Sequence, residues 1–125
     1  MDENELSHAI IGAAIEVHRV LGPGLLESVY ESALSFELRN KGFKVLLQQE
    51  LPVVYKGIEL DGRFRIDLLV GDLVVVEIKA VERLLPVHEA QLLTYLKLAN
   101  KKLGLLLNFN STAVGSSVRR VVNSL

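Results

Sequence analysis

The chain has 125 residues, half of them hydrophobic and 23% charged, a balance that belongs to one globular domain and excludes a disordered chain. It contains no cysteine, so disulfide frameworks, thiolate zinc sites and cysteine nucleophiles are all ruled out. Fourteen Lys and Arg against fifteen Asp and Glu leave a net charge of −1, which gives no general attraction to nucleic acid but permits a local basic patch beside an acidic site.

The opening run Met1-Asp2-Glu3-Asn4-Glu5 is acidic where an export signal would be basic, and the apolar stretch after it is interrupted by Glu16, His18 and Arg19. No export signal or membrane span is visible, and the expected location is the cytoplasm. Leu6, Ile10, Ala13, Val17 and Leu21 recur at steps of three and four, which predicts an amphipathic helix ending at Gly22-Pro23-Gly24. A second stripe, Leu26, Val29, Tyr30, Ala33 and Leu34, predicts a helix from Leu25 to about Asn40, closed by Lys41-Gly42.

After Gly42 the pattern shortens to strand-like runs: Phe43 to Gln49, Leu51 to Tyr55, Ile58 to Leu60, Phe64 to Val70 and Leu73 to Ala80. Lys56-Gly57, Asp61-Gly62 and Gly71-Asp72 read as the turns of an antiparallel meander. Leu73-Val74-Val75-Val76 is apolar on both faces and predicts a central strand. Pro86 opens a third helix carrying His88, Gln91, Leu92, Tyr95 and Leu96, and Leu103 to Phe109 reads as a further buried strand. Because that strand follows a helical crossover, it is expected parallel to a central one, with helices on both faces of the sheet. The tail, Ser116 to Leu125, fits a final helix or strand. The whole range 1–125 is expected to be one domain.

Asp67, Glu77 and Lys79 stand out because they lie in strands otherwise apolar. Unpaired buried charge costs several kcal/mol or more, so such groups are paired, metal-bound or at a rim. Glu77 and Lys79, two apart, project from one face of a strand. A two-residue Gly71-Asp72 loop turns Asp67 to the opposite face, whereas a three-residue Gly71-Asp72-Leu73 loop, or a bulge, sets it opposite Glu77 on the same face. The second arrangement is the expectation, because it alone joins two carboxylates and a lysine in one site. Such a site would prefer Mg²⁺ or Mn²⁺. The plainer alternative is a solvated Glu77 and Lys79, with Asp67 answering Arg65.

In their setting these residues resemble the PD-(D/E)XK nuclease superfamily, and within it the small bacterial and archaeal proteins named for a GxxExxY motif. Here the motif reads Gly24-Leu25-Leu26-Glu27-Ser28-Val29-Tyr30. The likeness continues through Ile66-Asp67-Leu68-Leu69-Val70, Val76-Glu77-Ile78-Lys79-Ala80, His88 to Leu96 and Leu103 to Phe109. Ile66 stands where the superfamily's name places a proline.

The resemblance implies a restriction-endonuclease-like α/β fold, a central mixed sheet flanked by helices in the order ααββββαβ. It implies that Asp67 and Glu77 are metal carboxylates, the backbone carbonyl of Ile78 is a third ligand, and Lys79 is the catalytic lysine. Glu27 matches a helix-borne acid of many members, and Gln91 and Tyr95 match the Q-x-x-x-Y pattern of RecB-like nucleases. The implied activity is hydrolysis of nucleic acid with Mg²⁺ or Mn²⁺, DNA being expected ahead of RNA. Small members often need a second subunit to span a duplex, so a homodimer is also an expectation. The competing reading is a non-catalytic module that keeps the fold and binds nucleic acid or protein.

Among the remaining polar residues, Glu27 also fits as an ordinary first-turn acid stabilised by the helix dipole, and Tyr30 fits as a core residue. His18 and His88 lack a second ligand at metal-binding spacing and are expected to be packed or surface histidines. Lys101-Lys102 and Arg119-Arg120 are expected on solvated faces, and they are the best candidates for outlying phosphate contacts.

Overall fold

In the computed structural model, which describes residues 1–111 and 117–124, the Asp2 carboxylate caps the first helix by accepting the Glu5 N–H at 2.8 Å. Helix α1 runs Glu3–Leu21 and buries Leu6, Ile10, Ala13 and Val17, the predicted stripe, while Leu21 is exposed. Helix α2 runs Glu27–Asn40, starting two residues later than predicted. Its inward stripe accordingly begins at Tyr30, and Leu26 and Val29 are exposed rather than buried. Leu26 keeps extended backbone (φ −70°, ψ 150°) because the loop before it is held by the Tyr30 hydroxyl, which accepts the Leu25 N–H at 3.0 Å. Among the described residues no helix is long and apolar enough to cross a membrane.

Strands β1 (Val45–Tyr55), β2 (Ile58–Val70) and β3 (Val74–Lys79) form the meander. Helix α3 (Pro86–Ala99) then crosses to β4 (Leu103–Asn108), and β5 (Val118–Val122) closes the sheet in the order β1-β2-β3-β4-β5. The β3–β4 pair is parallel, as the crossover requires, and the other neighbours are antiparallel. One face packs on α1 and α2 through Leu68, Val70, Val74, Val76, Ile78, Leu105 and Leu107; the other meets α3 through Ile66, Leu69, Val75, Leu92, Leu96 and Leu106.

Two details of element order differ from the sequence reading, and the described order is ααβββαββ. Asp61-Gly62 makes no turn but lies within β2, whose register with β1 shifts between Pro52 and Val54. The glycine signal there marks a bulge, the other common use of glycine in a strand. Two of the five predicted runs therefore merge into β2, and Phe43 to Tyr55 likewise yields a single β1. The tail contributes the additional strand, β5.

The hairpin that decides the site is the one expected. Val70 pairs with Val74, leaving Gly71, Asp72 and Leu73 as the loop. Gly71 (φ +59°) and Asp72 (φ +58°) both adopt left-handed backbone, which Gly and Asp tolerate better than most residues.

Candidate active site

Leu68 pairs with Val76, and one further step in that register sets Asp67 opposite Glu77. The two strands part at this rung, and side chains take the place of the backbone ladder. The Asp67 N–H donates to Glu77 Oε1 at 3.2 Å, and the Ile78 N–H donates to Asp67 Oδ2 at 2.8 Å. Glu77 is only 6% exposed, whereas Asp67 and Lys79 are half-buried. Among the described residues neither carboxylate makes an ion pair; Arg65, the plainer partner for Asp67, pairs with Glu50 instead. Burial pushes the Glu77 carboxyl up to about 9, with the facing Asp67 charge as the second cause and Lys79 as a small opposing one.

Glu77 and Lys79 share the face that meets α3, since Val75, two residues before Glu77, packs there. The Lys79 carbonyl accepts the Phe109 N–H at 2.9 Å and so points toward β4. Strand alternation then turns the N–H and carbonyl of Ile78 toward β2, and the bond from Ile78 N–H to Asp67 fits this. The gap between β2 and β3 therefore holds two carboxylates and a backbone oxygen.

Glu27, at the first turn of α2, is exposed and holds the end of β3: its Oε2 accepts the Ala80 N–H at 3.0 Å. Tyr30 is fully buried, stacks on Phe109 at 4.6 Å, and donates its hydroxyl to the Gly22 carbonyl at 2.6 Å. Together with left-handed Gly24 (φ +98°), these contacts fix the loop that presents Glu27. The GxxExxY segment thus acts here as a bracket between the first two helices and the tip of β3.

On α3, Tyr95 is half-buried and stacks on Phe64 at 4.9 Å. Burial raises its hydroxyl pKa, and the charges of Glu77 and Asp67 add to that, so Tyr95 lies within their field. Gln91, one turn earlier, is exposed and makes no hydrogen bond to a described residue. His18 and His88 make structural contacts. His18 Nε2 lies 2.7 Å from the Ser111 carbonyl, and His88 Nδ1 accepts the Leu85 N–H at 3.0 Å at the start of α3.

The basic pairs divide by position. Lys101 binds the carbonyl and carboxylate of Asp72, at the far end of the sheet from Glu77. Arg120 contacts Asn4. Arg119 lies opposite Leu106, which in turn lies opposite Glu77, so it sits on the same rung two strands away, paired with Glu89 of α3 at 3.4 Å.

Three contributors escaped the sequence reading. Gln48 donates from Nε2 to both oxygens of Glu31 (2.9 and 2.7 Å) and to Asp67 Oδ1 at 3.3 Å. Its signal was the polar run Gln48-Gln49-Glu50, which interrupts an apolar strand. Glu31 lies on the face of α2 one turn from Glu27, and burial raises its pKa, with Asp67 and Glu27 adding to the effect. Asn108, buried opposite Lys79, accepts the Val81 N–H at 3.1 Å and donates to the Val81 carbonyl at 2.9 Å. That clasp draws the chain toward β4 as it leaves β3, and its signal was an amide ending the run Leu103 to Leu107.

A divalent cation suits this donor set. Among the described residues the two facing carboxylates have no salt-bridge partner, and burial disfavours leaving both charged. Among the described residues no group of three or more His, Asp or Glu could hold a metal. Two carboxylates and one carbonyl would leave the remaining positions of such a cation to water and substrate, which is the habit of Mg²⁺.

No curated protein matches the chain. A solved structure titled "Crystal structure of SSO0001" is similar at 16% identity and a TM-score of 0.49, over 96% of this chain and 79% of that one. The family model described as the PD-(D/E)XK nuclease superfamily matches residues 4–121, and with its mixed sheet between helices this chain belongs to that superfamily.

Proposed function

We propose that this protein is a cytoplasmic nuclease that hydrolyses phosphodiester bonds, in DNA ahead of RNA, with Mg²⁺ or Mn²⁺. The observation that carries this reading is the Asp67–Glu77 rung, where two carboxylates meet at a parted pair of strands with Lys79 on the same face as Glu77. Asp67, Glu77 and the Ile78 carbonyl would hold the cation, which when bound polarises the phosphoryl oxygen and its own water. Lys79 orients the attacking water and offsets charge gathering on phosphorus. Glu27 keeps Ala80, and with it Lys79, in place. Tyr95 and Gln91 border the substrate side on α3, and Arg119 receives an outlying phosphate. Two copies of the chain would allow both strands of a duplex to be reached.

The test is a panel of labelled single-stranded, duplex, branched and RNA substrates with Mg²⁺ or Mn²⁺. Cleavage that is lost in Lys79→Ala while metal binding persists supports the assignment. Undiminished cleavage by Lys79→Ala or Asp67→Ala rejects it. A chain that binds nucleic acid but neither binds metal nor cleaves would be the non-catalytic module instead.

A further inference from the structure

Gln48 is the residue of β1 whose backbone is left-handed, at φ +51°, although it is neither Gly nor Asn. Such a conformation is unfavourable for an ordinary L-residue and persists where the surroundings over-determine it. The pairing of β1 with β2 runs from Val45–Val70 to Leu47–Leu68, then resumes at Gln49–Ile66, so the interrupted rung is Gln48 against Asp67.

Both strands change face at that rung. Leu46 and Leu51, five apart, pack on the α3 side, as do Ile66 and Leu69, three apart. A regular strand puts residues an odd number apart on opposite faces, so each strand has shed one step of its pleat between them. The left-handed Gln48 supplies the break in β1 directly opposite the one in β2.

The side chain freed by this break lies between two carboxylates. One amide nitrogen donates to Glu31 on α2 and to Asp67 Oδ1, while Asp67 Oδ2 is held by the Ile78 N–H. Both oxygens of Asp67 are thereby oriented from opposite sides. An apolar residue here would leave Glu31 and Asp67 facing each other with no donor between them.

We propose that Gln48 is a positioning residue: it fixes the rotamer of Asp67 and ties it to Glu31 on α2, so that metal affinity depends on a side chain that does not itself bind the metal. This inference rests on the metal-site reading above. Partners that orient metal ligands typically change affinity by roughly 10- to 100-fold.

The test separates the strained backbone from the amide it carries. Gln48→Gly accepts the left-handed conformation without strain and removes the amide. Gln48→Asn tolerates the conformation and keeps an amide, one methylene too short to span both carboxylates. Isothermal titration with Mn²⁺ alone, together with urea unfolding in EDTA, is run on the wild-type protein and both variants. The expected result is a urea midpoint for Gln48→Gly close to wild type, relief of the left-handed backbone offsetting the lost hydrogen bonds, together with Mn²⁺ affinity weaker by about ten-fold or more in both variants. Affinity lost without a matching loss of stability is an outcome that a merely structural residue does not produce. Wild-type Mn²⁺ affinity within two-fold in Gln48→Gly overturns the positioning role while leaving the metal site standing. No Mn²⁺ binding by the wild type overturns both. Should Gln48→Gly fail to fold, a folded Gln48→Asn with unchanged affinity overturns the proposal equally.

Discussion

Asp67 and Glu77 hold each other through the main chain: the Asp67 N–H reaches the Glu77 carboxylate at 3.2 Å, and the Ile78 N–H beside Glu77 reaches the Asp67 carboxylate at 2.8 Å. Each acid therefore closes a gap in the backbone ladder as well as facing its partner. Substitution by the amide separates the two roles, because Asn and Gln still accept a hydrogen bond but carry no charge. Asp67→Asn should fold with a urea midpoint close to wild type and Glu77→Gln with one above it at neutral pH, and both should lose Mg²⁺ binding in calorimetry and cleavage with it. Asp67→Ala removes the acceptor too, leaves the Ile78 N–H unmatched, and should cost about 1–3 kcal/mol of stability in addition.

The elevated Glu77 pKa makes the metal-free protein sensitive to pH. Its carboxyl titrates at an ordinary 4.5 when unfolded but at about 9 in the fold, because it is buried and faces Asp67. Between these values the folded state carries a proton that the unfolded state has released, so stability is complete below pH 4.5 and declines as pH rises toward 9. The steepest slope from this one group is about 1.4 kcal/mol per pH unit. Urea unfolding in EDTA at pH 6 and pH 8 should show the loss, and Glu77→Gln should flatten it. Because a bound cation displaces that proton, Mg²⁺ affinity should rise across the same interval.

Tyr30 offers a test of how the first loop supports the site. Its hydroxyl donates to the Gly22 carbonyl and accepts the Leu25 N–H, while its ring stacks on Phe109. Tyr30→Phe keeps the ring and removes both hydrogen bonds, with an expected cost of about 1–3 kcal/mol because the loop groups lose their partner. Removing the ring in Tyr30→Ala should cost about 3–5 kcal/mol, the range for emptying a buried aromatic site. Thermal unfolding distinguishes the two.

The sequence carried the helices, the hairpin loop and the facing pair Asp67 and Glu77, because each follows from a local signal. Apolar residues at helical spacing set α1 and α3, and Gly71-Asp72 together with the strand period set which faces the charges occupy. What it did not carry depends on distant partners. Asp61-Gly62 is locally as good a turn as Gly71-Asp72, and only pairing along β1 makes it a bulge. Gln48 has no motif of its own; its importance comes from Glu31 on one side and Asp67 on the other, residues separated from it by 17 and 19 positions. Leu26 fits a helical stripe by spacing, yet the Tyr30 hydroxyl holds the loop before it open and leaves it exposed.

Helix α3 and the sheet meet at Gly104, which pairs with Val75 and faces Leu92. A Cβ at this position would stand 2.9 Å from Cγ and both Cδ atoms of Leu92, so either Leu92 leaves its rotamer or the helix shifts. Leu92 is buried, and Tyr95 follows it by one turn, stacked on Phe64. Gly104→Ala should therefore cost about 1–3 kcal/mol by overpacking and alter the near-ultraviolet circular dichroism of the tyrosines. Asp67 and Glu77 stand on β2 and β3, so Mn²⁺ affinity should stay near wild type while cleavage falls, if α3 borders the substrate. Cleavage at the wild-type rate, with the helix demonstrably shifted, would remove Gln91 and Tyr95 from the proposed site and leave the carboxylates and Lys79 to act alone.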